Sequence, residues 1–159
     1  MRVMSRFVYL SGLLLLTGCG WEKKVSFTEP SGDATIEILE PFPINASGIR
    51  VVLKEGGRRA ALYDKRADIF FSFADVVWPK DRGSVAVFAC LGGATIELAF
   101  DRIRREPKPL GPLSHMVAQH IRANYSVPSE ISTDAEIFKW ACSDGEKQFQ
   151  ARYPESAAR

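Results

Sequence analysis

The sequence predicts an α+β domain, a mainly antiparallel β-sheet built from hairpins with two C-terminal helices packed on it. Three observations lead to this class. Runs rich in β-prone residues dominate residues 34–100, and glycine pairs at 56–57 and 92–93 divide two of these runs into hairpins. After residue 101 the apolar residues recur at helical spacing instead. Strands that come first and helices that follow are typical of an α+β domain.

Three strand regions are predicted in the first part of the domain. Residues 34–40 alternate and are rich in β-branched side chains, whereas the loop predicted at 41–48 carries two prolines, an asparagine and a glycine. Residues 49–64 form a predicted hairpin. Residues 68–78 form a third apolar run, which Pro79 ends.

Residues 84–100 form the clearest predicted hairpin, because Gly92 and Gly93 can occupy a two-residue turn at little conformational cost. In that register one face holds only apolar residues and is the predicted core face: Val85, Val87, Ala89, Leu91, Ala94, Ile96, Leu98 and Phe100. The other face is mixed and holds Ala86, Phe88, Cys90, Thr95, Glu97 and Ala99. A turn shifted by one residue would exchange the two faces.

Two helices are predicted after the sheet. A proline-rich connection at 105–112 leads to residues 113–125, whose apolar side chains recur at helical spacing. The second helix lies within residues 132–145, where Thr133 and Glu136 stand in the relation of a capping box. Both helices are expected to pack on the sheet.

The amino terminus has the layout of a secretory signal peptide. Arg2 and Arg6 give a positive first part, and an apolar stretch of about ten residues follows at 7–16, too short to span a bilayer of roughly 30 Å as a helix. The alternative, a buried helix of the mature domain, is disfavoured because no polar face interrupts the leucines.

The residues Leu16-Thr17-Gly18-Cys19 resemble the lipobox of bacterial lipoproteins. The resemblance implies that the chain is cut before Cys19 and that this cysteine is acylated, with chains such as palmitate, to become a membrane anchor. Several acyl chains on one residue make such an attachment durable. Because Gly20 and not an aspartate follows, the resemblance further implies an outer-membrane location facing the periplasm.

The predicted organisation has three parts: a signal peptide at 1–18, a lipidated N-terminus with a short tether at 19–30, and a single domain at 31–155. Within the domain, residues 147–153 could form a last strand. Because residues 1–18 contain two arginines and no acidic residue, the rest of the chain carries 19 basic and 19 acidic side chains. This balance gives no support to nucleic acid as a partner.

Two cysteines remain beyond the predicted anchor, Cys90 and Cys142. In an exported protein an isolated pair is expected to form a disulfide, which would stabilise the fold by about 4 kcal/mol in the chain-entropy model. The alternative is two buried free thiols. No CxxC motif supports a redox or zinc role.

No catalytic or metal-binding pattern stands out, so no enzyme activity and no cofactor are predicted. His115 and His120 are five residues apart on a predicted helix and point about 140° away from each other, unlike the i, i+4 pair of a zinc site. His120 lies on the apolar stripe, where a histidine satisfied at the edge of the core is expected. The chain has no GxSxG motif to organise a serine nucleophile.

The predicted function is that of a membrane-anchored envelope lipoprotein without catalytic activity, whose domain binds an envelope protein or a ligand. The candidate contact residues are Phe42 and Ile44 in the predicted loop, together with Trp78. Two alternatives stay open. One is an inhibitor of a wall-degrading enzyme such as lysozyme, and the other is a small hydrolase that uses carboxylates with His115 or His120.

Overall fold

A computed structural model describes residues 20–42, 48–66, 71–92 and 94–157. Its strands form two antiparallel four-stranded sheets, each in simple sequence order. The first sheet contains β1 (Gly20–Thr28), β2 (Ala34–Phe42), β3 (Ile49–Glu55) and β4 (Arg58–Lys65). The second contains β5 (Phe71–Val77), β6 (Ser84–Leu91), β7 (Ala94–Asp101) and β8 (Glu106–Pro109). Three helices follow, α1 (Leu113–Asn124), α2 (Asp134–Ala141) and α3 (Gly145–Arg152), and then a 3₁₀ turn (Pro154–Ala157). The predicted α+β class is confirmed, with two sheets in place of one.

The first sheet has one buried face and one that meets solvent. Ile36 and Ile38 of β2 and Val51 and Leu53 of β3 are almost wholly buried on one side. The alternating positions of β2 and β3 that face the other side carry polar and charged side chains such as Glu37, Arg50 and Lys54, as expected for a sheet with a single apolar face.

Strand β6 of the second sheet is buried on both of its faces, since all eight of its residues are buried. β6 and β7 pair in the predicted register, with Leu91 opposite Ala94 and Val85 opposite Phe100. The helices cover the β6 part of the face expected to be mixed, and Phe88 stacks on Phe138 of α2 with ring centroids 4.5 Å apart. Thr95 and Glu97 of β7 stay exposed on the same face, so the prediction of a mixed surface holds at β7 and not at β6.

The core joins three layers. Buried apolar residues from both sheets and all three helices belong to one cluster, and the helices make their main sheet contacts with β5 and β6. The two sheets therefore share the apolar core between them, and the helices cover the far side of the second sheet. The outer face of the first sheet is left to solvent in the part of the chain that the structure describes.

Residues 20–28, which the sequence predicts as part of a tether, form strand β1. The strand lacks the alternation of polar and apolar residues that would predict it, because residues 22–24 are all charged and a bulge lies between Lys23 and Val25. Val25 is nevertheless 1% exposed in the core, and Phe27 packs edge-to-face on Tyr153 with centroids 5.5 Å apart. The stabilisation gained by packing these two side chains in the folded protein therefore exceeds the low strand preference of the charged residues beside them.

The C-terminal region contains a third helix at Gly145–Arg152, so the last strand suggested by the sequence at 147–153 is wrong. Phe149 of α3 is fully buried between the rings of Phe71 and Phe73, at 5.5 and 5.3 Å between centroids. Gly145 begins this helix, and a Cβ there would lie 3.2 Å from Cζ3 of Trp140. The buried ring of Phe149 and the close packing of Gly145 against Trp140 hold the helix in position, although its sequence has almost no apolar stripe.

The proline-rich connection contains the short strand β8, on the exposed edge of the second sheet. Phe100 lies opposite Pro107 and Leu98 opposite Pro109. Proline lacks the N–H that a central strand needs, but it is tolerated at an edge. The four residues of β8 are exposed and end the sheet without offering a long pairing edge.

The second predicted helix begins where expected. Thr133 accepts a hydrogen bond from the backbone N–H of Glu136 at 3.3 Å, and the Glu136 carboxylate accepts one from the N–H of Thr133 at 3.0 Å. The predicted capping box is confirmed. The helix places Cys142 beside β6, and the sulfur atoms of Cys90 and Cys142 lie at disulfide distance with Cα atoms 5.3 Å apart.

Candidate ligand-binding surface

The solvent-facing side of the first sheet, called here the outer face, forms a shallow cavity of about 600 Å³. Six charged side chains line it, namely Lys23, Arg50, Lys54, Arg59, Glu37 and Asp64. They project from all four strands because residues that pair across the sheet share a face: Lys54 is opposite Arg59, and Arg50 is opposite Asp64. The face carries four basic and two acidic groups.

The floor of the cavity is apolar. Leu39 and Val52 lie on the outer face, yet they are only 8% and 6% exposed. Long basic side chains cover such residues with their methylene stems while their charged ends reach solvent. The surface therefore combines an apolar floor with a charged rim.

Ion pairs hold part of the rim in place. Glu37, whose side chain is 10% exposed, accepts a hydrogen bond from Lys54 at 2.6 Å and lies 3.6 Å from Arg59. Arg50 donates two hydrogen bonds to Asp64, from Nε at 2.8 Å and from Nη2 at 2.5 Å. Lys23 makes no ion pair with any residue in the described ranges. The acidic groups are thus each engaged, and the positive excess is left at the surface.

An aromatic ring stands at one end of this face. The guanidinium carbon of Arg50 lies 4.2 Å from the centroid of the Trp21 ring, and that of Arg66 lies 5.7 Å from it. Both distances are within the range of cation–π attraction. Stacking on the indole limits the arrangements open to the Arg50 side chain.

A second polar cluster lies between α1 and the second sheet. Asp75 of β5 is 4% exposed and its Oδ2 atom lies 2.7 Å from Nδ1 of His120. Burial raises the pKa of Asp75, and the hydrogen bond from His120 opposes this rise. The same hydrogen bond raises the pKa of His120, with partial burial opposing it.

This pair has the form of a histidine oriented by a buried carboxylate, as a small hydrolase would need. Among the described residues, however, no serine, threonine or cysteine side chain hydrogen-bonds to His120. Arg152 acts on His120 through its charge, and it lies 5.4 Å from the ring centroid of Tyr125, whose pKa is raised mainly by burial. What the geometry shows is a polar contact that joins α1 to β5.

His115 occupies a different environment. Its Nδ1 atom lies 3.1 Å from Asp134 of α2, and its side chain is 69% exposed. The pair bridges α1 and α2 at the surface, where such contacts contribute little to stability. The two histidines are not brought together, as their spacing predicts.

The residues selected from the sequence fall in separate places. Phe42 ends β2 and is 54% exposed. Trp78 lies near the turn that precedes β2, since it lines a small cavity with Glu29 and Ser31. The nine residues of β2 separate these ends by roughly 26 Å at 3.3 Å per residue. Phe42 and Trp78 therefore do not form one surface, and Cys19 and Ile44 lie outside the described residues.

Two further features are absent from the described ranges. No group of three or more His, Cys, Asp or Glu side chains is placed to hold a metal ion there. Nor is any helix in those ranges long and apolar enough to cross a membrane.

The fold and the outer face define a class of protein: an α+β domain of two stacked sheets and a helical layer, with one charged sheet face open. No protein-family model, no curated protein and no solved structure matches the chain. The outer face was missed in the sequence because its residues come from four strands. The alternation of Arg50, Val52 and Lys54 was the available signal, but it could not show which charges face each other.

Proposed function

We propose that this protein is a non-catalytic binding module of the bacterial envelope, anchored by acylation of Cys19 and using the outer face to bind an acidic segment of another envelope protein. The observation that carries the proposal is the positive excess on the solvent-facing side of the first sheet, which none of the described helices covers, at residues Lys23, Arg50, Lys54 and Arg59. The anchor is supported by the sequence Leu16-Thr17-Gly18-Cys19.

The chemistry of the face favours an acidic partner. Guanidinium groups bind carboxylates through paired donors, and Arg50 already does so with Asp64. The apolar floor of Leu39 and Val52 offers area that a peptide could cover. A partner with alternating acidic and apolar side chains would complement both features.

Photo-crosslinking in intact cells tests this surface. A benzoylphenylalanine is placed at Ala61, which is exposed on the outer face, and in a second strain at Ala123, which is exposed on α1. The proposal expects a single protein adduct of defined mass from position 61 and none from position 123. The adduct is then identified by mass spectrometry, and its crosslinked peptide should be acidic.

Two results would count against the proposal. The same adducts from both positions would show that the outer face has no special role. An adduct from position 61 whose contact peptide is basic or uncharged would contradict the stated chemistry. Undiminished clearing of cell walls by lysozyme at excess protein would remove the competing inhibitor hypothesis.

A further inference from the structure

The position of β1 determines how near the domain lies to the proposed anchor. β1 begins at Gly20, the residue directly after Cys19. A tether of about ten residues could reach well over 30 Å, but a strand that starts at the next residue leaves no such reach. The end of the first sheet that contains Gly20 must then lie at the point of attachment.

That end of the sheet, called here the anchor-proximal end, can be defined from the strand register. Gly20 pairs with Phe42, the last residue of β2, and Ile49 pairs with Lys65 at the end of β4. Arg66 follows directly and stands over the Trp21 ring. These residues therefore share one edge of the molecule.

Phe42 is the main apolar feature of the anchor-proximal end. Its side chain is 54% exposed, one of three large apolar side chains in the described residues that are markedly exposed. The other two are Ile103, in the turn after β7, and Met116 on α1. An exposed phenylalanine beside the attachment point can enter the boundary between headgroups and acyl chains.

The polar groups around Phe42 suit the same boundary. Lys65 and Arg66 are exposed, and Trp21 is half-buried under Arg66. Tryptophan is favoured at membrane interfaces, and long basic side chains reach from apolar surroundings to the headgroups. The acid Glu22 lies at this end too, and it pairs with Lys24 at 3.0 Å.

We infer that the anchor-proximal end rests on the phospholipid surface, with Phe42 inserted among the lipids and the first-sheet strands directed away from the membrane. The inference rests on the proposed acylation of Cys19. It places the opposite end of the domain, with Ile103, roughly 26 Å farther from the bilayer at 3.3 Å per residue of β2. The outer face then stands to the side, accessible to a protein partner.

Ile103 can serve as the control because its position at the far end is well defined. It follows Arg102, whose guanidinium hydrogen-bonds to Glu29, directly after β1, and to Glu55, the last residue of β3. Its side chain is 83% exposed, more than that of Phe42. Exposure alone therefore predicts more lipid contact at Ile103, whereas the inferred orientation predicts more at Phe42.

The experiment places benzoylphenylalanine at Phe42, Ile103 or Met116 in the full chain, in cells labelled with radioactive phosphate. The label marks crosslinked phospholipid and not the acyl anchor. Position 42 should take up at least about fivefold more label than either control position, since only that side chain would lie among lipids. Acylation of Cys19 is measured on the same samples from the mass of the N-terminal peptide.

The outcomes separate the inference from the function on which it rests. Equal labelling at positions 42 and 103 in acylated protein would overturn the orientation and leave the anchor in place. An N-terminal peptide without acyl chains would overturn the anchor, and the orientation with it. Preferential labelling at position 42 of acylated protein supports both.

Discussion

The Oδ2 atom of Asp75 lies 2.7 Å from the Nδ1 atom of His120, and this contact joins β5 to α1 across the interface between sheet and helices. Asp75 is 4% exposed, whereas the His120 side chain is 43% exposed. The imidazole is therefore the side-chain partner of a carboxylate that also accepts a hydrogen bond from the backbone of Val76, and the imidazole keeps access to water.

Replacing His120 is expected to destabilise the protein, because the buried carboxylate of Asp75 would lose its side-chain donor and keep only the hydrogen bond from the backbone of Val76. For a histidine that is partly exposed we expect His120→Ala to lower the free energy of unfolding by about 2 kcal/mol. Urea unfolding followed by circular dichroism measures the change. His115→Ala removes the exposed histidine of the same helix and is the matched control. Equal losses in the two variants would contradict the importance of the buried pair.

The same pair should make stability depend on pH. The pKa of His120 is raised in the folded protein, because Asp75 accepts its hydrogen bond. A raised pKa means that the folded state holds the proton more tightly, so this stabilisation is complete below the ordinary histidine value of about 6.5 and is lost as the pH rises through the higher folded value. Arg152 on α3 also acts on His120 and lowers its pKa.

Unfolding measurements from pH 6 to pH 9 should therefore show the wild type losing stability relative to His120→Gln, which cannot take up a proton. The difference between the two proteins should shrink toward high pH. Parallel pH profiles would mean that the contact with Asp75 does not favour the charged imidazole.

Arg102 supports a third prediction, because it connects the far ends of β1 and β3 in the first sheet to the second sheet. It donates two hydrogen bonds of 3.0 Å to Glu29, whose side chain is 6% exposed, and it also hydrogen-bonds to Glu55. Arg102→Ala would leave Glu29 without its main donor and should cost about 2 kcal/mol of stability. Arg104→Ala, which removes a 75% exposed arginine of the same turn, should change little. Thermal unfolding of the two variants distinguishes a structural bridge from a surface contact, and similar melting temperatures would argue for the latter.

The cysteines Cys90 and Cys142, whose sulfur atoms lie at disulfide distance, support a fourth prediction. A bond between them closes a loop across 52 positions of sequence and fastens α2 to the second sheet. Cys142→Ser should lower the free energy of unfolding by about 4 kcal/mol in the chain-entropy model. Reduction of the unmodified protein with dithiothreitol should reproduce most of that loss in urea titrations. If the oxidised and reduced proteins unfold at the same urea concentration, the bond contributes nothing to the fold.

The features that were predictable from the sequence are those encoded over short distances. The hairpin of β6 and β7 follows from a glycine turn between two apolar runs, and the start of α2 follows from Thr133 and Glu136, three residues apart. In each case the residues that decide the structure lie within one hairpin or one helical turn. A single sequence is sufficient for such features.

The features that were missed depend on contacts between distant segments. β1 carries three consecutive charges and is held by Val25 in the core, and α3 is held by Phe149 against β5. The outer face requires Glu37 of β2 to meet Lys54 of β3, 17 residues away. Such partners become visible only when the strand order and the helix positions are known.

The proposed binding surface leads to the last prediction, which concerns Lys23. This side chain lines the outer face and makes no ion pair within the described residues, so its reversal to glutamate changes the charge of the face without breaking an internal contact. Lys23→Glu should weaken binding of fluorescein-labelled poly-L-glutamate by about fivefold, corresponding to about 1 kcal/mol, because the variant places a negative group where the partner is negative. Fluorescence anisotropy at low salt measures the affinity, and the difference should diminish as salt screens the charges. Lys147→Glu on α3 changes the net charge equally but lies away from the face, so it should have a much smaller effect. An equal loss in both variants would show that poly-L-glutamate responds to the net charge of the protein and not to the outer face.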